Sequence, residues 1–262
     1  MPNLMLTNWC NYKCPYCFGM DRMVPRVPQA AMSDETFLGI LDWLARTSYN
    51  KPIHLMGGEP TLHPKFEWIV DTLLERDYPI TIFSNLATEK APEYAEKLGV
   101  MPISWVVNVN PPYKWSEVQR ERIETALSHL GENAAITFNI MPDEPDSLWA
   151  IDLIKRFNLR RNIKVGFVLP TITQVNYALD DNEYTIVAEK TVQLARDGAR
   201  EGITLDYECG VMVYGAPMIE SLLEDMDMIV DHSRLVTKEE WAKRSVLRRV
   251  FEPLLRLFAI WM

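Results

Sequence analysis

Cysteine is scarce in this sequence and unevenly placed. Four occur in 262 residues, and none follows Cys209. A secreted disulfide framework carries more thiols, spread along the chain, so that class is excluded. Histidine is equally sparse: four are present, the first at His54. Long apolar runs are missing too, and no uncharged stretch approaches the length of a membrane span. Nor is there a basic surplus: 27 Lys and Arg face 36 Asp and Glu, a net charge of −9. That balance argues against broad phosphate-backbone binding, so nucleic acid is not an expected partner. Residues 1–7 lack the basic start and apolar core of a signal peptide, and the expectation is a cytoplasmic, reducing location. What remains is ordinary for a globular protein: 48% hydrophobic and 24% charged, enough for one large domain or two small ones.

Three of the four cysteines lie within eight positions, Cys10, Cys14 and Cys17, spaced C-x3-C-x2-C. Thiolates are soft anionic ligands, and three so close together favour one metal centre. Four would close an iron–sulfur cube; three leave one iron open. Two other readings share the spacing. Positions 10, 14 and 17 also fall on one helical face, as small core residues would, although Pro15 interrupts such a helix. A structural zinc site would need a fourth Cys or His nearby, and none is close in sequence.

Most of the chain repeats one rhythm: short apolar strand, polar loop, amphipathic helix. Strands are expected over 4–7, 53–56, 80–83, 104–110, 135–140 and 164–169. The helices between them carry stripes such as Phe37, Ile40, Leu41, Leu44 and Phe66, Ile69, Val70, Leu73. Ser33 marks a helix start, and Gly99 and Gly131 mark helix stops. Six strand–helix units in about 200 residues imply an α/β fold with a parallel sheet, a partial (βα)6 TIM-like barrel. A doubly wound sheet is the competing topology, and either one puts ligands at the C-terminal strand ends. The expected division is a barrel over 1–209 and a small helical extension over 210–262, whose apolar end (250–262) covers the barrel by default.

Gly57-Gly58-Glu59-Pro60 follows the second strand as Cys10–Cys17 follows the first. Alone it could be a strand-to-helix turn. Together, the two motifs resemble the radical SAM superfamily over about residues 1–209, in the Gly-Gly-Glu-Pro form common in its peptide- and protein-modifying branches. The resemblance implies a 4Fe–4S cluster on Cys10, Cys14 and Cys17, with S-adenosylmethionine on the open iron. It implies reductive cleavage to a 5′-deoxyadenosyl radical and hydrogen abstraction from a substrate, with a peptide or protein as the class this branch suggests. An electron donor such as flavodoxin or ferredoxin is implied as well. Carried over by position, Tyr16 lies near the adenine, and Gly57, Gly58 and Glu59 hold the methionyl amino group. Ser84 and Asn108 reach the carboxylate or ribose, and Asn139, Val168 and Leu169 complete the walls. The sequence departs from those branches after Cys209, where an auxiliary-cluster extension would need more cysteines. No catalytic residue beyond the cluster ligands stands out; Glu208, Tyr207 and His54 are available but unspecific. The alternatives are an iron–sulfur or zinc-binding interaction protein without radical chemistry, and a membrane-associated adaptor acting through 250–262.

Overall fold

The computed structural model describes residues 3–14, 17, 30–47, 49–166 and 180–207. The chain divides into two compact units, Met1–Val211 and Met212–Met262. The second, with the expected helical extension, lies outside the described residues.

The first unit is one sheet of seven parallel strands in sequential order. These are β1 (Asn3–Met5), β2 (Ile53–Met56), β3 (Ile80–Ser84), β4 (Ile103–Asn108), β5 (Ala134–Asn139), β6 (Asn162–Gly166) and β7 (Thr204–Tyr207). The intervening helices are α1 (Asp34–Arg46), α2 (Phe66–Glu75), α3 (Ala91–Leu98), α4 (Glu117–Leu130), α5 (Trp149–Phe157) and α6 (Asp181–Arg200). Sequential order excludes the doubly wound topology, whose strand order reverses at a switch point. It is the winding of a barrel, and among the described residues β1 pairs with β2 alone, so the barrel is partial. The sequence rhythm marks six strands; the seventh is short and carries one apolar residue, Leu205, against the core. The expected strand over 164–169 begins two residues earlier, and its last three residues lie outside the described set.

Strand alternation sorts the two faces. Ile53, Leu55, Ile80, Ile82, Ile103, Trp105, Val107, Ile136, Phe138, Ile163 and Val165 are buried in the core that includes the helices. The alternate residues, among them His54, Thr81, Phe83, Ser104, Thr137 and Lys164, are half-buried on the other face. Local chemistry sets the helix starts. Ser33 Oγ accepts from Thr36 N, and Ser116–Gln119 and Asp180–Glu183 form reciprocal capping boxes. Gly131 ends α4 with φ +49°, a backbone that glycine tolerates best. Gly99 is different. Its φ is −66°, and a Cβ there would lie 2.5 Å from Ala95 O and 2.7 Å from His129 O. It is a glycine because α3 and α4 meet there.

Two glycines therefore respond oppositely to the same methyl group. Gly39, exposed within α1, has nothing within 4 Å of the position a Cβ would take, so Gly39→Ala should stabilise the fold by about 0.5–1 kcal/mol. Gly99→Ala should destabilise it by about 1–3 kcal/mol, through backbone contacts that cannot move aside. Urea denaturation of both variants measures the difference.

Candidate functional site

The pairing of β1 with β2 does not stop at the strand ends. Leu6 N donates to Met56 O at 2.8 Å, Gly58 N to Thr7 O at 2.8 Å, and Glu59 N to Trp9 O at 2.6 Å. The Gly-Gly-Glu segment is thus spliced by its backbone to the start of the cysteine loop. The contact is close enough to require both glycines: a Cβ on Gly57 would lie 2.4 Å from Thr7 O, and one on Gly58 2.1 Å from Trp9 O. The other side of the loop is held by Asn8 and Thr7, which bond to Ala30 through Asn8 N, Asn8 Oδ1 and Thr7 Oγ1.

Glu59 is 1% exposed, and both its oxygens are occupied. Oε1 accepts from Thr61 N (3.2 Å), Thr61 Oγ1 (2.7 Å) and Ser84 Oγ (2.8 Å); Oε2 accepts from Asn85 N (2.8 Å). Burial raises its pKa, and these four donors pull against that rise. Thr61 Oγ1 and Thr88 Oγ1 lie 2.8 Å apart, extending the network to the segment before α3. Asn85 turns outward from it. Its Nδ2 donates to Asn11 Oδ1 at 2.8 Å, and its Oδ1 accepts from Ala87 N at 2.9 Å.

Cys10, Cys14 and Cys17 are free thiols, each half-buried. Cys17 N donates to Cys14 O at 3.0 Å, and Tyr12 N to Cys10 Sγ at 3.4 Å. Burial pushes the Cys10 thiol up to about 11, with Glu59, Cys14 and Cys17 adding to the rise. Tyr12 is pushed up to about 12, again mainly by burial. Among the described residues no three His, Cys, Asp or Glu side chains form a ready shell for one metal ion.

The remaining expected contacts separate by face. Ser84 pairs with Val107 on the helix side of the sheet, where its hydroxyl serves Glu59 and accepts from Leu86 N. Asn108 and Asn139 end β4 and β5 on the opposite side, Asn108 exposed and Asn139 lying over Gly166, with Oδ1 2.2 Å from where a Cβ would be. So the structure brings Ser84 to Glu59 and not beside the two asparagines. Tyr16, Val168, Leu169, Glu208 and Cys209 lie outside the described residues, as does the Tyr207 side chain. His54 is engaged with Asn3 Oδ1 at 3.0 Å and stacks near Phe83.

A cleft of about 280 Å³ opens beside the loop, at the C-terminal ends of β4 and β5. Its walls include Tyr12, Cys14, Asn110, Lys114, Trp115 and Glu144. Glu144, 8% exposed, pairs with Lys114 at 2.6 Å. Burial lowers the Lys114 pKa, but the Glu144 carboxylate more than offsets this and leaves it raised. Lys190 on α6 fixes this wall by donating to Met141 O (3.0 Å), Pro142 O (2.8 Å) and Glu144 O. Nothing in the local sequence marks Lys114, Glu144 or Lys190 as neighbours, since they are 30 and 46 positions apart.

The model of the Radical SAM superfamily matches residues 4–110. The GTP 3′,8-cyclase of Mannheimia succiniciproducens is 31% identical over 121 residues, 45% of this chain and 36% of that protein. A tungsten-containing aldehyde ferredoxin oxidoreductase cofactor-modifying protein of Pyrococcus furiosus is 33% identical over 112 residues, 41% of this chain and 30% of that one. The chain thus spans well under half the length of these relatives. Among solved structures, Streptococcus suis SuiB bound to S-adenosylmethionine superposes with a TM-score of 0.59 at 16% identity, over 79% of this chain and 50% of that one. SuiB bound to its precursor peptide SuiA gives 0.57 at 14%, over 85% and 50%. Residues 4–110, which carry the paired motifs spliced at the ends of β1 and β2, match the radical SAM superfamily, and the fold is the one seen in SuiB. That family implies a 4Fe–4S cluster and S-adenosylmethionine.

Replacing Glu59 by Gln turns an amide NH₂ toward groups that all donate. Glu59→Gln should therefore cost about 2–3 kcal/mol of stability, the loss of charge-assisted bonds at a buried site, measured by urea denaturation.

Proposed function

We propose that this chain is a radical S-adenosylmethionine enzyme in which Cys10, Cys14 and Cys17 hold a 4Fe–4S cluster beside the Gly57-Gly58-Glu59 segment. The observation that carries the reading is the backbone splice between the cysteine loop and that segment. The donor set suits an iron–sulfur cluster: three soft thiol ligands on one loop whose charges act on each other. When bound, the cluster and S-adenosylmethionine supply reductive carbon–sulfur cleavage and a 5′-deoxyadenosyl radical that takes hydrogen from the substrate.

The chain's own residues orient and enclose. Tyr16, Gly57, Gly58 and Glu59, with Asn108, Asn139 and Leu169, are the proposed contacts to S-adenosylmethionine. Ser84 acts through the Glu59 carboxylate that it bonds. The cleft bounded by Cys14, Trp115 and Glu144 is the proposed route to substrate, and its volume is just below the range of about 300–1,000 Å³ for small-ligand sites. A peptide or protein substrate is supported by the fold shared with SuiB, solved with a precursor peptide. Residues 1–209 would form the catalytic unit and 210–262 a helical extension. Electrons would come from a flavodoxin or ferredoxin in a reducing cytoplasm.

Anaerobic reconstitution should load about four iron and four sulfide per chain. Dithionite and S-adenosylmethionine should then yield methionine and 5′-deoxyadenosine, and Cys10→Ala, Cys14→Ala or Cys17→Ala should abolish that yield. Zinc in place of iron, or an iron-loaded chain that forms no 5′-deoxyadenosine, would refute the assignment in favour of a non-radical metal-binding protein.

A further inference from the structure

The cysteine loop is tied firmly up to Trp9, by the splice to residues 56–59 and the bonds to Ala30. Past Trp9 the described bonds include two within the loop, Tyr12 N to Cys10 Sγ and Cys17 N to Cys14 O. Asn11, exposed and flanked by Cys10, then reaches across to a different element, the turn that follows β3. Its partner Asn85 is 7% exposed and rigidly oriented. The Asn85 backbone N–H is bound by Glu59 Oε2, and its side-chain oxygen is taken by Ala87 N–H. With the oxygen committed, the NH₂ group must face Asn11, and it donates there at 2.8 Å.

We propose that Asn11 and Asn85 are positioning residues, a latch that transmits the fixed orientation of the buried Glu59 network to the metal-binding stretch of the cysteine loop. The glycine splice holds the loop at its beginning, through residues 7 and 9. The latch adds a second fixed point inside the ligand stretch, between Cys10 and Cys14. Two fixed points define the path of the segment, which one cannot. Its role toward a cluster rests on the function proposed above; its role in holding the loop does not.

The test reads the loop first without metal. In the full-length apo-protein under anaerobic conditions, the iodoacetamide alkylation rates of Cys10, Cys14 and Cys17 are followed by peptide mass spectrometry. Asn11→Ala and Asn85→Ala should each raise the Cys10 and Cys14 rates about fivefold, the weight of one net hydrogen bond. The double variant should show no further increase, because both changes open the same latch. Asn11→Asp keeps an acceptor for Asn85 and should stay at or below the wild-type rate. Wild-type rates in Asn11→Ala, or multiplied effects in the double variant, would overturn the latch. Since Asn11 is exposed, Asn11→Ala and Asn11→Asp decide the question even if Asn85→Ala does not fold. In reconstituted protein, Asn11→Ala should lower iron per chain and alter the electron paramagnetic resonance spectrum of the reduced cluster, with Asn11→Asp restoring both. An unchanged spectrum and full loading would remove the latch's role toward the cluster. A wild-type chain that takes up no iron would defeat the proposed function and leave the alkylation result to judge the latch.

Discussion

Two backbone hydrogen bonds, Gly58 N to Thr7 O and Glu59 N to Trp9 O, decide the arrangement of this end of the sheet. They prolong the β1–β2 ladder past the point where either segment is strand. The prolongation works because positions 57 and 58 carry no side chain, and any Cβ there would overlap the facing carbonyls. The glycines thus serve contact within the chain first. Their open backbone is an asset to a ligand only after the loop has been brought alongside.

The splice also delivers Glu59 to a site where a carboxylate is costly. An unpaired buried charge would be worth several kcal/mol against folding. It is instead met by four donors from three places: Thr61 in its own turn, Ser84 at the end of β3, and Asn85 just beyond. Each bond stabilises the charge, and together they lock the end of β2 to the end of β3. The buried acid is therefore a fastener between adjacent strand ends. Desolvation is the reason that it works: the donors cannot be exchanged for water without exposing the charge.

Much of this was legible in sequence, for identifiable reasons. Apolar runs such as Ile53–Met56 and Ile80–Ser84 are short and bounded, so they read as strands, and Ser33 announces α1 by its hydroxyl. The paired motifs at successive strand ends pointed to the family by themselves. What could not be read has a common physical origin. Thr204–Tyr207 is a strand through pairing with β6, with no apolar run of its own to mark it. Gly99 is the helix stop that the sequence suggests, capping α3 after Leu98, but the close approach of His129 O on α4, far along the chain, could not be read. Ser84 sits at a strand end as a ligand contact would, yet strand parity turns it to the helix side and to Glu59. Parity at a strand end depends on a register that local sequence does not encode. The Asn11–Asn85 bond joins residues 74 positions apart, beyond any local pattern.

The similarity to known proteins is distributed as this structure would suggest. The matched stretch, residues 4–110, contains the cysteine loop, the splice, the Glu59 network and Asn108. Most of the cleft's far wall lies past it: Lys114, Trp115 and Gln119 around the start of α4, and Met141, Asp143 and Glu144 after β5, secured from α6 by Lys190. Strand ends and their tight backbone contacts tolerate little change, because each group is committed to a partner. A loop wall held by an ion pair and a lysine on carbonyl groups can exchange side chains without disturbing the sheet. Shared scaffold and variable wall are the usual division in strand-end sites, where loops carry the differences on a common frame. If the cleft is the route to substrate proposed above, the Lys114–Glu144 wall would set the charge and shape of what enters it, while the family match ends at residue 110.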